Sequence, residues 1–376
     1  MKVLHIAQSH GGVAQYLYMI LDNMNNDIEN ILILSNDYME DSDKLKKYSK
    51  QVFFVDMIRE IDFKSDFKAI IEIRRIIKTV DPDIIYLHSS KAGAIGRISS
   101  LLLNKIVIYN PHGWAFNMNV SKLKKRIFIV IERVLALYTN KIIAISDSEK
   151  ISALQNNICK EEKIEIIFNG IDVAAYKFLL DESKLQREDL NIPVDAFVVG
   201  MVGRISKQKS PDVFIKVANE IKKIVKEAFF IIVGDGEDRK EIESLIEYYG
   251  LCDSVIITGW VDNPAEYINL FNVAMLLSRW EGFGLVLIEY MIAKKPIVAS
   301  NVDAIPNIIN NNVDGVLIDI NDIKDVRDSV LKFKNNIQFS QDIVNNAYFK
   351  ANKEFDITRV VMQHEKLFNT SLSNKK

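Results

Sequence analysis

The sequence predicts an α/β protein made of two successive doubly wound domains, each with a parallel sheet covered by helices. Three observations predict this class. Short runs rich in β-branched residues alternate with longer amphipathic stretches along the chain, as in repeated βα units. A polar, charge-rich stretch at residues 177–191 interrupts this rhythm once, after which the rhythm restarts. The length of 376 residues suits two domains of medium size better than one.

Thirteen short apolar runs are the predicted strands. In the first domain they are residues 3–7, 31–35, 52–56, 84–88, 106–110, 142–146 and 164–168, and in the second 197–203, 229–234, 255–258, 273–277, 297–300 and 316–319. Helices are predicted at 66–80, 91–103, 285–293 and 356–372. We place the first domain at 1–180 and the second at 181–355. Ligands are expected in the cleft between them, at the carboxyl ends of the strands.

The composition excludes several classes of protein. A formal net charge of −2 argues against a dedicated nucleic-acid binder, because no basic excess is present to meet phosphate backbones. The two cysteines, Cys159 and Cys252, are far apart and predict neither a disulfide framework nor a zinc site. The N-terminal apolar run reads as a first strand rather than a signal peptide, and no run reaches the roughly 18 apolar residues of a membrane span. A cytoplasmic protein is expected.

Two glutamates, Glu281 and Glu289, stand eight positions apart across a glycine-bearing bend and the opening of an apolar helix. The bend and the opening comprise Gly282, Phe283, Gly284 and Leu285. Free N–H groups and the positive end of the dipole make a helix N-terminus a seat for phosphate. Acceptor side chains on both sides of such a seat suit a sugar nucleotide, which carries hydroxyls on both sides of its diphosphate. The competing interpretation is that Glu281 caps the helix and Glu289 faces solvent.

Three further loops follow predicted strands and carry glycines or cations. Gly11 and Gly12 let the backbone approach a phosphate or sugar, although a plain βα turn explains them equally well. Neither they nor Gly234 belong to a complete G-x-G-x-x-G fingerprint, which disfavours nicotinamide or flavin binding. Arg204 and Lys209 follow another strand and can reach one diphosphate from two directions, unless they form only a solvated basic loop.

These loops occur in one order along most of the chain, together with an Asn-Gly-Ile-Asp turn at 169–172. The combination resembles the retaining glycosyltransferases of family 4, which have the GT-B fold of two Rossmann-like domains facing a central cleft. The resemblance implies that the C-terminal helix, 356–376, crosses back to the first domain. It also implies a nucleotide-sugar donor, by default a UDP-sugar, and no need for a divalent metal or other cofactor.

The resemblance assigns roles to individual residues. It implies catalytic roles for His112, Glu281, Arg204 and Lys209. The implied donor-binding residues are Gly11, Gly12, Gly203, Arg204, Lys209, Gly234, Gly282, Phe283, Gly284, Leu285 and Glu289. Arg204 and Lys209 would stabilise the leaving diphosphate, while Glu281 and His112 would hold the sugar and Glu289 the ribose.

Residues of the first domain are the candidates for the acceptor side. His112 follows a strand, as a site residue should, although a lone histidine is more often a satisfied polar residue. His88, Ser89 and Lys91 also follow a strand and, with Trp114, are predicted to line the acceptor site. Ser89 is equally a good helix N-cap.

One loop departs from the family pattern. Relatives show two glycines and then a glutamate after the proline, where this chain has Asp303, Ala304 and Asn307. The change is expected to stiffen the loop and remove one acidic side chain.

The stretch 121–138 combines a cationic first turn with an apolar stripe. The stripe contains Ile127, Val130, Ile131, Val134 and Tyr138. Two interpretations are equally supported: a helix packed into the core with a solvated basic end, and a helix that lies on an anionic membrane surface.

The predicted function is therefore retaining transfer of a sugar from a nucleotide-sugar to a hydroxyl of a glycan or polyprenyl-linked acceptor, in bacterial surface polysaccharide biosynthesis. Two alternatives stay open. One is a sugar-nucleotide epimerase on the same fold, since fold alone does not fix function. The other is a non-catalytic nucleotide-sugar-binding subunit of a glycan-assembly complex.

Overall fold

The computed structural model describes residues 1–8, 11–49, 51–58, 60–118 and 120–374. The chain separates into two compact units. The first contains Met1–Asn169 and the C-terminal segment from Ile357 onward, and the second contains Gly170–Asp356.

The described part of the first unit contains a parallel sheet of seven strands. They are β1 (Lys2–Ala7), β2 (Glu29–Leu34), β3 (Val52–Phe54), β4 (Ile84–His88), β5 (Ile106–Asn110), β6 (Lys141–Ala144) and β7 (Ile164–Ile166), in the spatial order β3-β2-β1-β4-β5-β6-β7. The helices are α1 (Gly12–Asn23), α2 (Ser42–Tyr48), α3 (Phe63–Val80), α4 (Ser90–Ser99), α5 (Lys122–Ala136), α6 (Asp147–Gln155) and the C-terminal α15 (Ile357–Ser373). Short 3₁₀ turns lie at Asn36–Asp41, Ala115–Asn117 and Glu161–Lys163.

The second unit repeats this plan with six parallel strands among its described residues. They are β8 (Phe197–Val202), β9 (Ala228–Val233), β10 (Val255–Ile257), β11 (Val273–Leu276), β12 (Ile297–Ser300) and β13 (Val316–Ile318), in the order β10-β9-β8-β11-β12-β13. The helices are α7 (Val173–Asp181), α8 (Pro211–Ile224), α9 (Arg239–Tyr248), α10 (Pro264–Asn269), α11 (Leu285–Ile292), α12 (Ile305–Ile308), α13 (Ile323–Asn335) and α14 (Ile337–Glu354), with a 3₁₀ turn at Glu188–Leu190. The predicted α/β class, with two doubly wound domains, is confirmed.

Both sheets are buried on their two faces. Their central strands consist almost entirely of apolar residues with no exposed surface, as expected where helices cover each side of a parallel sheet. The strand order reverses between β1 and β4 in the first sheet and between β8 and β11 in the second. Loops that leave the carboxyl ends of these strands are therefore the places where a ligand can reach the backbone.

The boundary between the units differs from the predicted one. The sequence places it after residue 180, whereas the contacts place it between Asn169 and Gly170. The reason is helix α7, which packs on α10 and α11 of the second unit. The C-terminal helix α15 packs on α1 and is part of the first unit.

Helix α5 buries one charged side chain among the apolar residues of its inner face and presents a second apolar face outward. Its Glu132 is buried, where it accepts hydrogen bonds from Arg97 Nη2 at 2.9 Å and from Tyr109 Oη at 3.0 Å. Arg97 has no exposed surface and lies over the Tyr109 ring. Breaking such a buried pair from one side costs about 3–5 kcal/mol, so this pair resists any rotation of the helix.

The outward face of α5 carries large apolar side chains. Exposed there are Leu123 (70 %), Ile127 (45 %), Val130 (56 %), Val134 (51 %), Leu137 (74 %) and Tyr138 (52 %). The interpretation that this stripe packs into the core is therefore wrong. No helix in the described part of the chain is long and apolar enough to cross a bilayer.

Candidate functional site

The second unit brings the backbones of two predicted donor loops into direct contact. A Cβ atom placed on Gly234 would lie 2.2 Å from the carbonyl oxygen of Gly203, and one on Gly236 would lie 2.2 Å from that of Ile205. The Gly203 amide donates to Val233 O at 2.9 Å, and the Ile205 amide to Asp235 O at 2.8 Å. Gly234 is buried, and only a residue without a Cβ atom fits this close backbone approach. The packing shapes the loop that leads to Arg204 and Lys209.

Lys209 and Glu281 form an ion pair at the carboxyl ends of β8 and β11. Lys209 Nζ lies 2.5 Å from Glu281 Oε2, and both side chains are largely buried, with exposed fractions of 16 % and 9 %. The same carboxylate oxygen accepts a hydrogen bond from Ser278 Oγ at 2.9 Å. The interpretation of Lys209 as part of a solvated basic loop is therefore wrong.

Asp303 completes the surroundings of Glu281. Its Oδ2 accepts a hydrogen bond from the Glu281 amide at 2.9 Å. Asp303 has a φ of 45°, in the left-handed region that favours glycine, which is the residue expected at this place in relatives. The departure from the family pattern thus replaces a flexible residue with one that fixes the Glu281 backbone.

A second set of bonds ties the same two loops together. Arg279 donates to both oxygens of Asp212, at 2.8 and 3.0 Å, and to Lys207 O at 2.8 Å. Gln208 Nε2 donates to Trp280 O at 3.0 Å. The loop that carries the cations and the loop that carries Glu281 are therefore held as one structure.

Arg204 lies at the rim of the site. Its side chain is 64 % exposed and its Nε donates to Glu237 Oε2 at 2.9 Å. Such an exposed pair contributes little stability, so a ligand can replace Glu237 at small cost. Arg204 lines a cavity of about 410 Å³. The other lining residues are Ser206, Lys207, Gln208, Glu237, Asp238 and Trp280.

The opening of α11 keeps the predicted form. Gly284, with a φ of 93°, is its N-cap residue and makes no side-chain capping bond. Glu281 does not cap this helix, because its carboxylate bonds to Lys209 and Ser278 instead. Gly282 is exposed and Leu285 half-buried. Phe283 is buried against Phe355, so it anchors the bend and does not offer its ring to a ligand.

Glu289 lies one turn inside α11, in a partly buried place. Burial raises the pKa of its carboxyl group to about 7, and the positive charge of Lys209 opposes that rise. Its neighbour Tyr290 accepts a hydrogen bond from the Val202 amide at 2.8 Å, which ties the helix to the end of β8. Tyr176 of α7 lies close to Glu289, and the negative charge of Glu289 contributes to raising the pKa of the Tyr176 hydroxyl. The alternative in which Glu289 simply faces solvent is wrong.

The second unit thus collects positive charge, a helix N-terminus and two carboxylates at the end of one sheet. Lys209 and the α11 amides can stabilise a diphosphate, and the carboxylates can accept hydroxyl protons on either side of it. Because Lys209 is already paired with Glu281, a diphosphate that binds here must compete for that charge. Among the described residues, no group of three or more His, Cys, Asp or Glu side chains is placed to hold a metal ion.

In the first unit, two of the predicted residues lie where a ligand can reach them. Gly11 and Gly12 are exposed at the start of α1, with open space where a side chain would stand among the described residues. Gly11 has a φ of 92°, which favours glycine.

His112 is half-buried after β5, in a left-handed backbone conformation with a φ of 51°. Asn110 Oδ1 accepts a hydrogen bond from its amide at 3.0 Å and holds this strained turn. Burial lowers the pKa of the His112 imidazole to about 3, so the ring is neutral at physiological pH.

Two of the predicted acceptor residues, His88 and Trp114, are buried. His88 has no exposed surface, and its two ring nitrogens bond to His5 and His112. Trp114 is 1 % exposed, stacks on Phe116 and donates from Nε1 to the Glu149 carbonyl oxygen at 3.0 Å. Trp114 follows a strand, but the hydrophobic gain of burial places its ring in the core.

Ser89 and Lys91 lie at the start of α4. Ser89 is the N-cap residue of that helix, although its side chain makes no capping bond. Lys91 Nζ lies 2.6 Å from Asp66 Oδ1 and donates to Glu60 O at 2.6 Å. An acceptor phosphate at Lys91 must therefore displace Asp66.

Sequence reasoning assigned no site role to Ser278, Arg279, Asp303 and His5. Asp303 was singled out only as a departure from the family's glycine. The other three carry no local signal. Ser278 contributes by donating to the Glu281 carboxylate, and Arg279 contributes through partners some 70 residues away in the chain. In the sequence, His5 is simply one polar residue inside an apolar strand.

Comparison with known proteins gives matches over most of the chain. The model of Glycosyltransferase Family 4 matches residues 10–175, and that of Glycosyl transferases group 1 matches residues 182–350. An uncharacterized 41.2 kDa protein in the cps region of Klebsiella pneumoniae is 33 % identical over 346 residues, which are 88 % of this chain and 90 % of that protein.

Two further matches come from characterised proteins. The UDP-Gal:alpha-D-GlcNAc-diphosphoundecaprenol alpha-1,3-galactosyltransferase of Escherichia coli is 29 % identical over 292 residues, 76 % of this chain and 74 % of that protein. The crystal structure of Anabaena HepE in complex with UDP superposes with a TM-score of 0.84 at 20 % identity, over 98 % of this chain and 100 % of that one. The latter likeness shows that the fold is GT-B.

Two glycine-to-alanine substitutions separate loop packing from ligand approach. Gly234→Ala places a methyl group 2.2 Å from a backbone oxygen at a φ of 139°, and we expect it to destabilise the protein by about 2 kcal/mol or more. Gly282→Ala meets no described atom within 4 Å, so we expect its unfolding free energy to stay within about 0.5 kcal/mol of wild type. Urea titration followed by circular dichroism measures both.

The Gly282→Ala variant also tests the predicted phosphate-binding position. If the diphosphate lies over this bend, as predicted, the added methyl group of Gly282→Ala should crowd it and weaken UDP binding in calorimetry roughly tenfold, a loss of about 1.4 kcal/mol. Unchanged UDP affinity in a stable Gly282→Ala protein would show that the diphosphate does not lie over this bend.

Proposed function

Because the chain belongs to glycosyltransferase family 4, and is thus a glycosyltransferase, we propose that it moves a sugar from a UDP-sugar to a hydroxyl of a glycan or polyprenyl-linked acceptor. The observation that carries the proposal is the Lys209–Glu281 ion pair beside the uncapped opening of α11, with Glu289 one turn further on. This arrangement offers cations to a diphosphate and carboxylates to hydroxyls on each side of it.

Departure of a nucleoside diphosphate leaves negative charge on the phosphate oxygens. In the proposed reaction, Lys209, Arg204 and the first amides of α11 stabilise that charge, which lowers the barrier to breaking the sugar–phosphate bond. These two cations and the helix opening would together offset the charge of the diphosphate, so we propose that no divalent ion is needed. Glu281 holds the sugar by accepting from its hydroxyls.

We propose that the product keeps the anomeric configuration of the donor. Retention by a double displacement needs a carboxylate that attacks the anomeric carbon. The proposed route is instead attack from the same face, with the leaving phosphate accepting the proton of the acceptor hydroxyl. His112 of the first unit is neutral and serves to position the sugar rather than to carry charge.

The comparisons support the choice of donor and acceptor. The Escherichia coli relative is named for a UDP-galactose donor and a diphosphoundecaprenol-linked acceptor, and HepE was crystallised with UDP. We therefore propose a UDP-sugar as donor and a polyprenyl-linked intermediate of a bacterial surface polysaccharide as acceptor.

The outward face of α5 supports a location for such a reaction. Its exposed apolar stripe is flanked by Lys122, Lys124 and Arg126, which are also exposed. Apolar side chains can enter the headgroup region while the flanking cations meet anionic lipid headgroups. We propose that this helix lies on an anionic membrane surface, where a polyprenyl-linked acceptor resides.

Transfer by the purified protein is the direct test. The protein is incubated without divalent metal with UDP-, GDP-, ADP- and dTDP-sugars and a diphosphoundecaprenol-linked sugar, and products are identified by mass spectrometry and NMR. We expect transfer from a UDP-sugar with an α-configured donor giving an α-linked product. Interconversion of the free donor without an acceptor would indicate an epimerase, and binding without turnover a binding subunit.

Donor affinity should depend on pH through Glu289. Burial raises its pKa to about 7, so the carboxyl group is mostly protonated at pH 6 and ionised at pH 8. Only the carboxylate accepts from two hydroxyls, and UDP-glucose itself has no proton to lose in this range. We expect UDP-glucose to bind about tenfold more tightly at pH 8 than at pH 6 in calorimetry. In Glu289→Gln the affinity should be weaker and independent of pH; a retained pH slope would contradict this role.

Vesicle binding tests the proposed role of α5. Replacing Ile127, Val130 and Val134 together by serine removes about 1 kcal/mol of apolar burial per residue, so partitioning onto anionic vesicles should fall on the order of 100-fold in co-sedimentation. Phe349→Ser, at an exposed apolar position in the second unit, is the matched control and should bind like wild type. Equal binding of the triple variant and wild type would exclude this surface.

A further inference from the structure

Four side chains of the first unit form one line of hydrogen bonds that ends at His112. Asn30 Oδ1 lies 3.1 Å from His5 Nε2, His5 Nδ1 lies 3.3 Å from His88 Nε2, and His88 Nδ1 lies 3.2 Å from His112 Nε2. The imidazole planes are nearly parallel, at 13° between His5 and His88 and 16° between His88 and His112. Each ring therefore meets the next edge to edge.

The rings in this line are neutral. His5 and His88 have no exposed surface, and burial lowers the pKa of His5 to about 4 and that of His88 well below its usual value. A neutral imidazole has one N–H donor and one acceptor nitrogen. Every bond in the line can form only if all three rings carry their proton on the corresponding nitrogen, so the state of one ring fixes the next.

The direction of the line is set at Asn30. Its amide oxygen can only accept, so His5 donates from Nε2 and accepts at Nδ1. His88 then donates from Nε2 to His5 and accepts at Nδ1 from His112 Nε2. His112 is left with its lone pair on Nδ1, for which the described residues provide no donor.

We infer that Asn30, His5 and His88 are positioning residues that hold His112 as a hydrogen-bond acceptor for a sugar hydroxyl. This inference rests on the proposed function for the identity of the ligand, but the tautomers themselves do not depend on it. An isolated neutral histidine exchanges between its two tautomers, and only one of them presents an acceptor at Nδ1. The line keeps His112 in that form before the sugar arrives.

His364 of α15 provides an internal reference in the same cluster. Its Nδ1 donates to Val360 O at 2.7 Å, and its Nε2, the acceptor nitrogen, lies 2.9 Å from Tyr16 Oη and 3.0 Å from Tyr86 Oη. It must therefore carry its proton on Nδ1, the opposite tautomer from the three histidines of the line.

NMR of the full chain labelled with ¹⁵N-histidine tests the inference directly. The chain has five histidines, few enough to assign by substitution. In long-range ¹H–¹⁵N spectra near pH 7.5 we expect His5, His88 and His112 as Nε2–H tautomers and His364 as Nδ1–H. An Nδ1–H form of His112 in the wild-type protein would overturn the inference, whether or not any variant folds.

Asn30→Leu removes the acceptor that sets the direction. We expect the fraction f of His112 in the Nε2–H form to fall toward one half, and the dissociation constant for UDP-glucose to rise by 1/f, about twofold. Ser49→Ala is the matched control, since it removes the bonds of the Ser49 hydroxyl to the Asn30 and Gln51 backbones but leaves the Asn30 side chain in place, and both quantities should stay at their wild-type values. An unchanged His112 tautomer in folded Asn30→Leu would also overturn the inference.

The outcomes separate this inference from the proposed function. If the tautomers are as expected but the protein binds no nucleotide-sugar, the hydrogen-bonded line of side chains is confirmed and the proposed function is refuted. If the protein transfers a sugar but His112 is in the Nδ1–H form, the proposed function is confirmed and the inferred role of the hydrogen-bonded line is refuted.

Discussion

In each unit, parallel pairing forces strands that are distant in sequence to end at the same edge of a sheet. This constraint gathers Lys209 and Glu281, 72 positions apart, into one ion pair in the second unit. In the first unit it gathers His5, His88 and His112 into one line. The chemistry available at each edge is thus set by which residues follow the strands next to the switch point.

The polar groups around Glu281 bond to one another without a ligand. Glu281 is held by Lys209, Ser278 and Asp303, and the loop with the cations is fixed by Arg279. A buried charge that keeps its partner is far less costly than one that has lost it. In the proposed reaction, a diphosphate therefore enters a site whose geometry exists already, and it gains the charge of Lys209 only by exchanging partners with Glu281.

The first unit uses burial to opposite effect on two groups of polar side chains. Arg97 and Glu132 remain a charged pair under α5, and by fixing the rotation of that helix they keep its apolar stripe outside. The three histidines are kept neutral by burial, which lowers their pKa values, and their order is then carried by tautomers alone. One group of buried polar side chains orients a surface, and the other orients a single acceptor nitrogen.

The sequence by itself determined the α/β class, the positions of the thirteen strands, the loops that follow them and the family. These features depend on local periodicity and on motifs confined to short segments, such as Glu281 to Glu289. It also indicated that residues 121–138 are amphipathic, but not which face of that helix is buried.

Only the tertiary structure decided what each side chain touches. It buried His88 and Trp114, placed the unit boundary before α7, turned the stripe of α5 outward and joined Asp303 to the Glu281 amide. The physical reason is that burial and hydrogen bonding depend on partners from distant parts of the chain. A histidine or an arginine has the same local pattern whether it meets solvent or the inside of a sheet, and the contacts across the fold choose between them.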